Sequence, residues 1–139
     1  VNSCSLGAEK EADLMTEMQE VQWSVLGVTE TWRKELTEEY ELPGGHLYLG
    51  CGGPVKHRGV AIILNEKVKR GLRRWEAISH RLAYADLLCA GRLVRVIVVY
   101  MPTSGHPEEE VDELYAKMST IIGEARRKGM AITGLGDFN

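Results

Sequence analysis

Asp137 and Asn139 stand two residues apart in the closing run Gly136-Asp137-Phe138-Asn139. Residues i and i+2 of an extended chain project to the same side. The apolar run Met130-Ala131-Ile132-Thr133-Gly134-Leu135 before them reads as a short buried strand. A carboxylate and a carboxamide would then share one face at its C-terminal tip, where α/β folds gather their chemistry. Such a pair suits metal-assisted phosphoryl chemistry: the carboxylate orients a water or holds a proton, and the amide donates to a phosphate oxygen. Two further apolar runs end on polar groups, Val25–Thr29 on Glu30 and Val94–Val99 on Tyr100. Brought to one rim, these groups would form a divalent-metal phosphodiester site. Glu30 would be a hard oxygen ligand for Mg²⁺, and Tyr100 would contact or protonate a phosphate oxygen. Asp137 would activate the attacking water, with Asn139 holding that water or the phosphate. Each residue also has a plainer reading: a solvated strand end for Glu30, rim packing for Tyr100, turn chemistry for Gly-Asp-x-Asn.

The elements that must position these groups follow from periodicity. Ala8, Ala12, Met15, Met18 and Val21/Gln22 recur at helical spacing over 8–22. A β-like run over 23–29 follows. Residues 33–45 are polar and end in Pro43-Gly44-Gly45, which predicts a loop. His46-Leu47-Tyr48-Leu49 predicts a strand, Gly50 to Pro54 a Gly-rich connection, and Gly59 to Leu64 a buried strand. Residues 75–90 predict one or two exposed strands, with Ile78, Leu82, Tyr84 and Leu87/Leu88 inward. Leu93 to Tyr100 is nearly all apolar and rich in β-branched residues, as a central strand is. A helix follows: Pro107 in its first turn, Glu108–Glu110 at its positive end, Arg126–Lys128 at its negative end, Gly129 at its C-cap. Alternation of strands and helices predicts the α/β class.

With 139 residues, 44% hydrophobic and 27% charged, the chain predicts one modest globular domain. No apolar run is long enough to span a bilayer, and no signal-peptide pattern opens the sequence, so no membrane partner is expected. The first residue is Val, which predicts a start inside a longer reading frame. A net charge of −3 disfavours attraction of nucleic acid by the whole surface, while leaving room for a local basic patch. Cys4, Cys51 and Cys89 are widely spaced and no C-x-x-C pair occurs, so no structural zinc is expected and reduced intracellular thiols are.

Four segments in order carry a family likeness. They are Leu26-Gly27-Val28-Thr29-Glu30-Thr31-Trp32, Arg58-Gly59-Val60-Ala61-Ile62-Ile63-Leu64, Val98-Val99-Tyr100-Met101-Pro102-Thr103-Ser104 and Gly136-Asp137-Phe138-Asn139. Together they resemble the metal-binding Glu motif, the "GVAI" strand, the "YAPT" segment and the "GDFN" motif of the endonuclease/exonuclease/phosphatase family. Within it the likeness is greatest to endonuclease domains of non-LTR retrotransposons and the craniofacial-development-protein-2-like sequences derived from them. Asn2, with Leu6 beyond it, is similar to the family's early active-site Asn element, although Ser3-Cys4-Ser5 replaces its usual basic-containing stretch. The resemblance implies a two-sheet α/β sandwich flanked by helices, present over about its N-terminal half, so that 1–139 is a partial domain truncated at both ends. It implies Glu30 as metal ligand, Asp137 as general acid or base, Asn139 as orienting group, and Tyr100 and Asn2 at the phosphate. It implies Mg²⁺ (with Mn²⁺ as substitute), a DNA partner, a nuclear location and fusion to a reverse transcriptase in a longer frame. The activity implied is hydrolysis of a DNA phosphodiester by a metal-activated water. The alternatives are a phosphatase acting on a small phosphorylated molecule, or a catalytically inactive remnant lacking the family's late Asp-His pair.

Lys67, Lys69, Arg70, Arg73 and Arg74 crowd beside Trp75. Arg70, Arg73 and Arg74 are candidates for contact with a nucleic-acid backbone, though the plainer reading of the same residues is a solvated loop or helix face. His46, His57, His80 and His106 are scattered and read as surface or satisfied polar groups. Trp32 and Trp75 read as packing residues.

Overall fold

The computed structural model describes residues 23–54, 58–102 and 107–137. They form two four-stranded sheets and one helix, an α/β arrangement. The strands are β1 (Val25–Thr29), β2 (Glu38–Glu41), β3 (Leu47–Cys51), β4 (Val60–Leu64), β5 (Leu72–Ser79), β6 (Leu82–Cys89), β7 (Arg92–Tyr100) and β8 (Ala131–Asp137). The helix, α1, is Glu108–Arg127. The first sheet has the order β1-β4-β3-β2 and the second β5-β6-β7-β8. All neighbours are antiparallel except β7 and β8, which are parallel and joined through α1. A parallel pair needs such a crossover, because the chain must return to the starting edge.

Alternation explains how the sheets face each other. Leu49, Cys51, Val60, Ile62 and Leu64 of the first sheet pack against Ala83, Ala85, Leu87, Val96, Val98 and Tyr100 of the second. The intervening residues turn outward. In the first sheet these are Val28, Tyr48, Ala61 and Ile63. In the second they are Leu82, Tyr84, Ile97 and Val99, which meet Leu114 and Ile121 of α1. Both faces of β4, β6 and β7 are therefore covered, which is why their sequences are continuous apolar runs.

α1 follows its charge pattern. Pro107 is its N-cap rather than a first-turn residue, and Glu108, Glu109 and Glu110 fill the first turn. Arg126 and Arg127 occupy the last turn, and Gly129 takes the left-handed φ of 70° that lets the chain leave the helix.

Three expectations need correction. The polar stretch 33–45 is not all loop, since β2 lies within it. Glu38, Glu39 and Glu41 make β2 a charged edge strand, which protects the sheet from stray pairing and hides the apolar alternation. Gly50 and Cys51 belong to β3 rather than to a connection. The strands over 75–90 were expected to be exposed, yet β6 is buried on both faces from Leu82 to Leu87. Of the pair Leu87/Leu88, it is Leu87 that is buried, while Leu88 is 37% exposed beside the hairpin turn. The helix expected over 8–22 lies outside the described residues.

Candidate active site

One end of the two-sheet stack collects Glu30, Tyr100 and the end of β8 that carries Asp137. Register fixes the level of each strand end: Thr29 pairs with Val60, Cys51 with Val60, Leu82 with Val99, and Tyr100 with Asp137. Glu30, just past β1, therefore shares a rim with Tyr100 at the end of β7 and Asp137 at the end of β8. The phenol of Tyr100 donates to Glu30 Oε1 at 2.6 Å, across 70 residues of sequence and from one sheet to the other. At that length, with a carboxylate acceptor, it is a short charge-assisted hydrogen bond.

The backbone carrying Glu30 is unusual. Glu30 and Trp32 have φ of 55° and 57°, and only Ala90 among the other described non-glycine residues is also positive. Such conformations cost about 1–3 kcal/mol each and persist where the surroundings over-determine them. Here the surroundings are bonds from Thr31 N–H to Gly59 O and from Trp32 N–H to Arg58 O, with Thr31 buried. Gly52 N–H and Gly53 N–H then donate to the carbonyls of Glu35 and Arg33. A side chain at Gly52 would run into the Arg33 carbonyl, so the Gly-rich stretch is there for close approach of two backbones.

The second sheet supplies the opposite wall. Gly136 has φ of 129°, and a Cβ there would collide with the Val99 carbonyl, so glycine is required one residue before Asp137. Tyr100 is held by Arg81, whose guanidinium lies 5.3 Å from the ring centroid and whose Nη1 donates to the Tyr100 carbonyl at 3.2 Å. Arg81 Nε also donates to Glu110 Oε1 at 3.0 Å, and Arg58 reaches the same oxygen at 3.2 Å. Arg58 Nη1 donates to His80 Nε2 at 2.7 Å. Burial, then the charges of Arg58 and Arg81, hold the His80 imidazole below its ordinary pKa, which suits its role as acceptor. Burial, then repulsion from Arg58, also lowers the Arg81 pKa. Next to this cluster lies a cleft of about 220 Å³ bordered by His80, Arg81, Glu110 and Lys117.

Of the expected site residues, the structure brings Glu30 and Tyr100 into contact and sets Asp137 in register beside Tyr100. Asn2 and Asn139 lie outside the described residues. Arg70, Arg73 and Arg74 are elsewhere, at the far end of β5. Six residues of β7, or roughly 20 Å of strand, separate that level from Tyr100. Arg58, His80 and Arg81 are at the rim and were not foreseen. Their only sequence signal is that two cations flank the strand starts Val60 and Leu82, which becomes visible once both strands are placed.

Glu30 fits a hard divalent cation in kind, since such ions take carboxylate oxygens. No group of three potential metal-ligating side chains occurs among the described residues. Mg²⁺ needs none, since it keeps waters and takes one or two carboxylates. No family model matches the chain, and no curated protein matches it.

Proposed function

We propose that the chain is the core of a metal-dependent phosphodiesterase of the endonuclease/exonuclease/phosphatase type. Its substrate would be DNA, and its origin a retrotransposon endonuclease domain. The observation that carries this reading is the 2.6 Å bond between Tyr100 and Glu30, formed across the two sheets at the rim where β8 delivers Asp137. Facing sheets with a helix outside also support the two-sheet sandwich that the resemblance implies.

In this reading Glu30 would hold Mg²⁺, which supplies charge neutralisation for the phosphate and a more acidic water. The chain's own groups do the rest. Tyr100, fixed by Arg81, presents a phenol that can donate to a non-bridging phosphate oxygen once substrate competes for it. Arg58 and Arg81 raise the positive potential at the rim and favour an anionic substrate. Asp137 accepts the proton of the attacking water, and Asn139 orients that water.

The test is plasmid nicking in Mg²⁺ by the chain, alone and extended in its reading frame, beside Glu30→Gln and Asp137→Ala. Nicking that falls at least about 100-fold in both variants is the expected result, since Asp137→Ala removes the general base and Glu30→Gln the carboxylate that would hold the metal. Folded protein that leaves plasmid intact but hydrolyses a phosphate monoester would replace the nuclease with a phosphatase.

A further inference from the structure

The rim opposite Glu30 and Tyr100 is strongly cationic. Arg70 and Arg73 approach it from the turn before β5 and from β5 itself, Arg92 from the start of β7, and Arg126 and Arg127 from the last turn of α1. All five are exposed, and none makes an ion pair with a carboxylate among the described residues. The carboxylates on this side of the second sheet are already engaged. Asp86 is held by Arg95 at 2.8 Å, Glu76 by Arg74 at 3.1 Å, and Glu124 by Arg95 at 2.9 Å. In a chain of net charge −3, this concentrates uncompensated positive charge at one end.

Beside Arg73 the surface is apolar and concave. A pocket of about 460 Å³ is lined by Leu88, Leu93 and Met130, by Arg73, Arg74 and Lys128, and by Asp86, whose charge Arg95 neutralises. Leu88 and Leu93 are 37% and 40% exposed, on either side of the β6–β7 turn. Ala90 and Gly91 form that turn with φ of 50° and 77°, the tight primed geometry that brings the two leucines to one edge. Two strand spacings, roughly 10 Å, separate Arg73 on β5 from Arg92 on β7, and Arg126 and Arg127 add the end of α1. That is wider than one small anionic head group needs, and it matches several phosphates along a chain.

We propose that this rim binds a single strand of nucleic acid. The unpaired arginines take successive phosphates, and an unstacked base enters the pocket over Leu88 and Leu93. A duplex could meet the arginines but has no free base for the pocket. The proposal does not depend on the catalytic reading, because the surface lies at the other end of the molecule.

The test is binding of fluorescein-labelled oligothymidylate by the chain in EDTA, followed by anisotropy across a range of salt. Parallel arms use the same strand paired with oligoadenylate, dextran sulfate, and phosphatidylserine vesicles. Five phosphate contacts predict a slope of log K against log salt of about −3.5. Arg73→Gln with Arg92→Gln should flatten the slope by about 1.4. Leu88→Ser with Leu93→Ser should weaken the single strand at least about fivefold, through loss of base contact, with the slope and the dextran sulfate affinity unchanged. Unchanged thermal melts confirm that these surface variants fold. Equal affinity for duplex and single strand, an unaltered slope in the arginine variant, or binding to vesicles but not to oligothymidylate would each overturn the proposal.

Discussion

At the scale of single residues, two buried ionisable groups set the alkaline behaviour, Cys51 at the level of the rim and Tyr84 farther along the second sheet. Cys51 is buried between the sheets and its thiol sits 2.7 Å from the Ser79 carbonyl. Burial pushes its pKa from 9.0 up to about 12. Burial, then the hydrogen bond to Glu76, pushes the Tyr84 phenol from 10.0 up to about 12. That bond is 2.6 Å long, and the Arg95 guanidinium lies 4.1 Å from the ring centroid. Both groups hold their protons more tightly folded than unfolded. Their contribution is complete below the unfolded pKa values and is lost as pH rises toward the folded ones. Thermal melts should therefore be flat at neutral pH and fall between about pH 9 and 12. In Cys51→Ala and in Tyr84→Phe the fall should be shallower, whatever the absolute melting temperature. A wild-type melting temperature that does not change up to pH 12 would contradict this account.

At the scale of elements, β6, β7 and α1 are joined by one buried cation. The Arg95 side chain is fully buried, donates to both oxygens of Asp86 at 2.8 and 2.9 Å, to the Ile121 carbonyl at 2.8 Å and to Glu124 at 2.9 Å. Its neighbours are satisfied only while all partners are present. Asp86→Ala leaves a buried guanidinium short of its main counter-charge and should cost about 3–5 kcal/mol in urea melts. Replacing both members, Arg95→Met with Asp86→Leu, should recover most of that loss, since a well-packed apolar pair is often as stable. If the double variant is no better than the single one, the network supplies more than charge compensation. Arg95 also shows what the sequence hides. It interrupts Leu93-Val94-Arg95-Val96-Ile97 without altering the strand, because the apolar pattern outweighs one charge, yet its partners come from β6 and α1 and no local pattern names them. The strands themselves were legible wherever apolar residues ran on, as in β4, β7 and β8. β2 was not, because an edge strand of glutamates carries no such run. At the site, Glu30 and Tyr100 were legible as polar ends of apolar strands. Arg58, His80 and Arg81 were not, because their role depends on how two sheets align.

At the scale of the whole molecule, that alignment depends on how closely the sheets approach near β1. A Cβ at Gly27 would lie 2.9 Å from Leu135 Cβ and 3.4 Å from Val98 Cγ2, so β1 rests directly on β8 and β7. Two effects then oppose each other in Gly27→Ala. Removing a strand glycine should stabilise by roughly 0.5–1 kcal/mol. Forcing a methyl group into a full interface should destabilise by about 1–3 kcal/mol. The second is larger, and the contact is with the Cβ of a strand residue rather than the far end of a flexible side chain, so net destabilisation of about 1–2 kcal/mol is expected. Gly134 is the internal control. Nothing lies within 4 Å of the position a Cβ would take there, so Gly134→Ala should keep only the stabilising part. The consequence reaches the rim, because Glu30 follows Gly27 by three residues on the element being wedged away, while Tyr100 stays with the second sheet. Gly27→Ala should therefore also weaken the Glu30–Tyr100 coupling in a double-mutant cycle with Glu30→Gln and Tyr100→Phe, whereas Gly134→Ala leaves it intact. Should Gly27→Ala prove as stable as Gly134→Ala with full coupling, the sheets slide apart freely. The rim would then owe its geometry to the strained Glu30–Trp32 backbone alone.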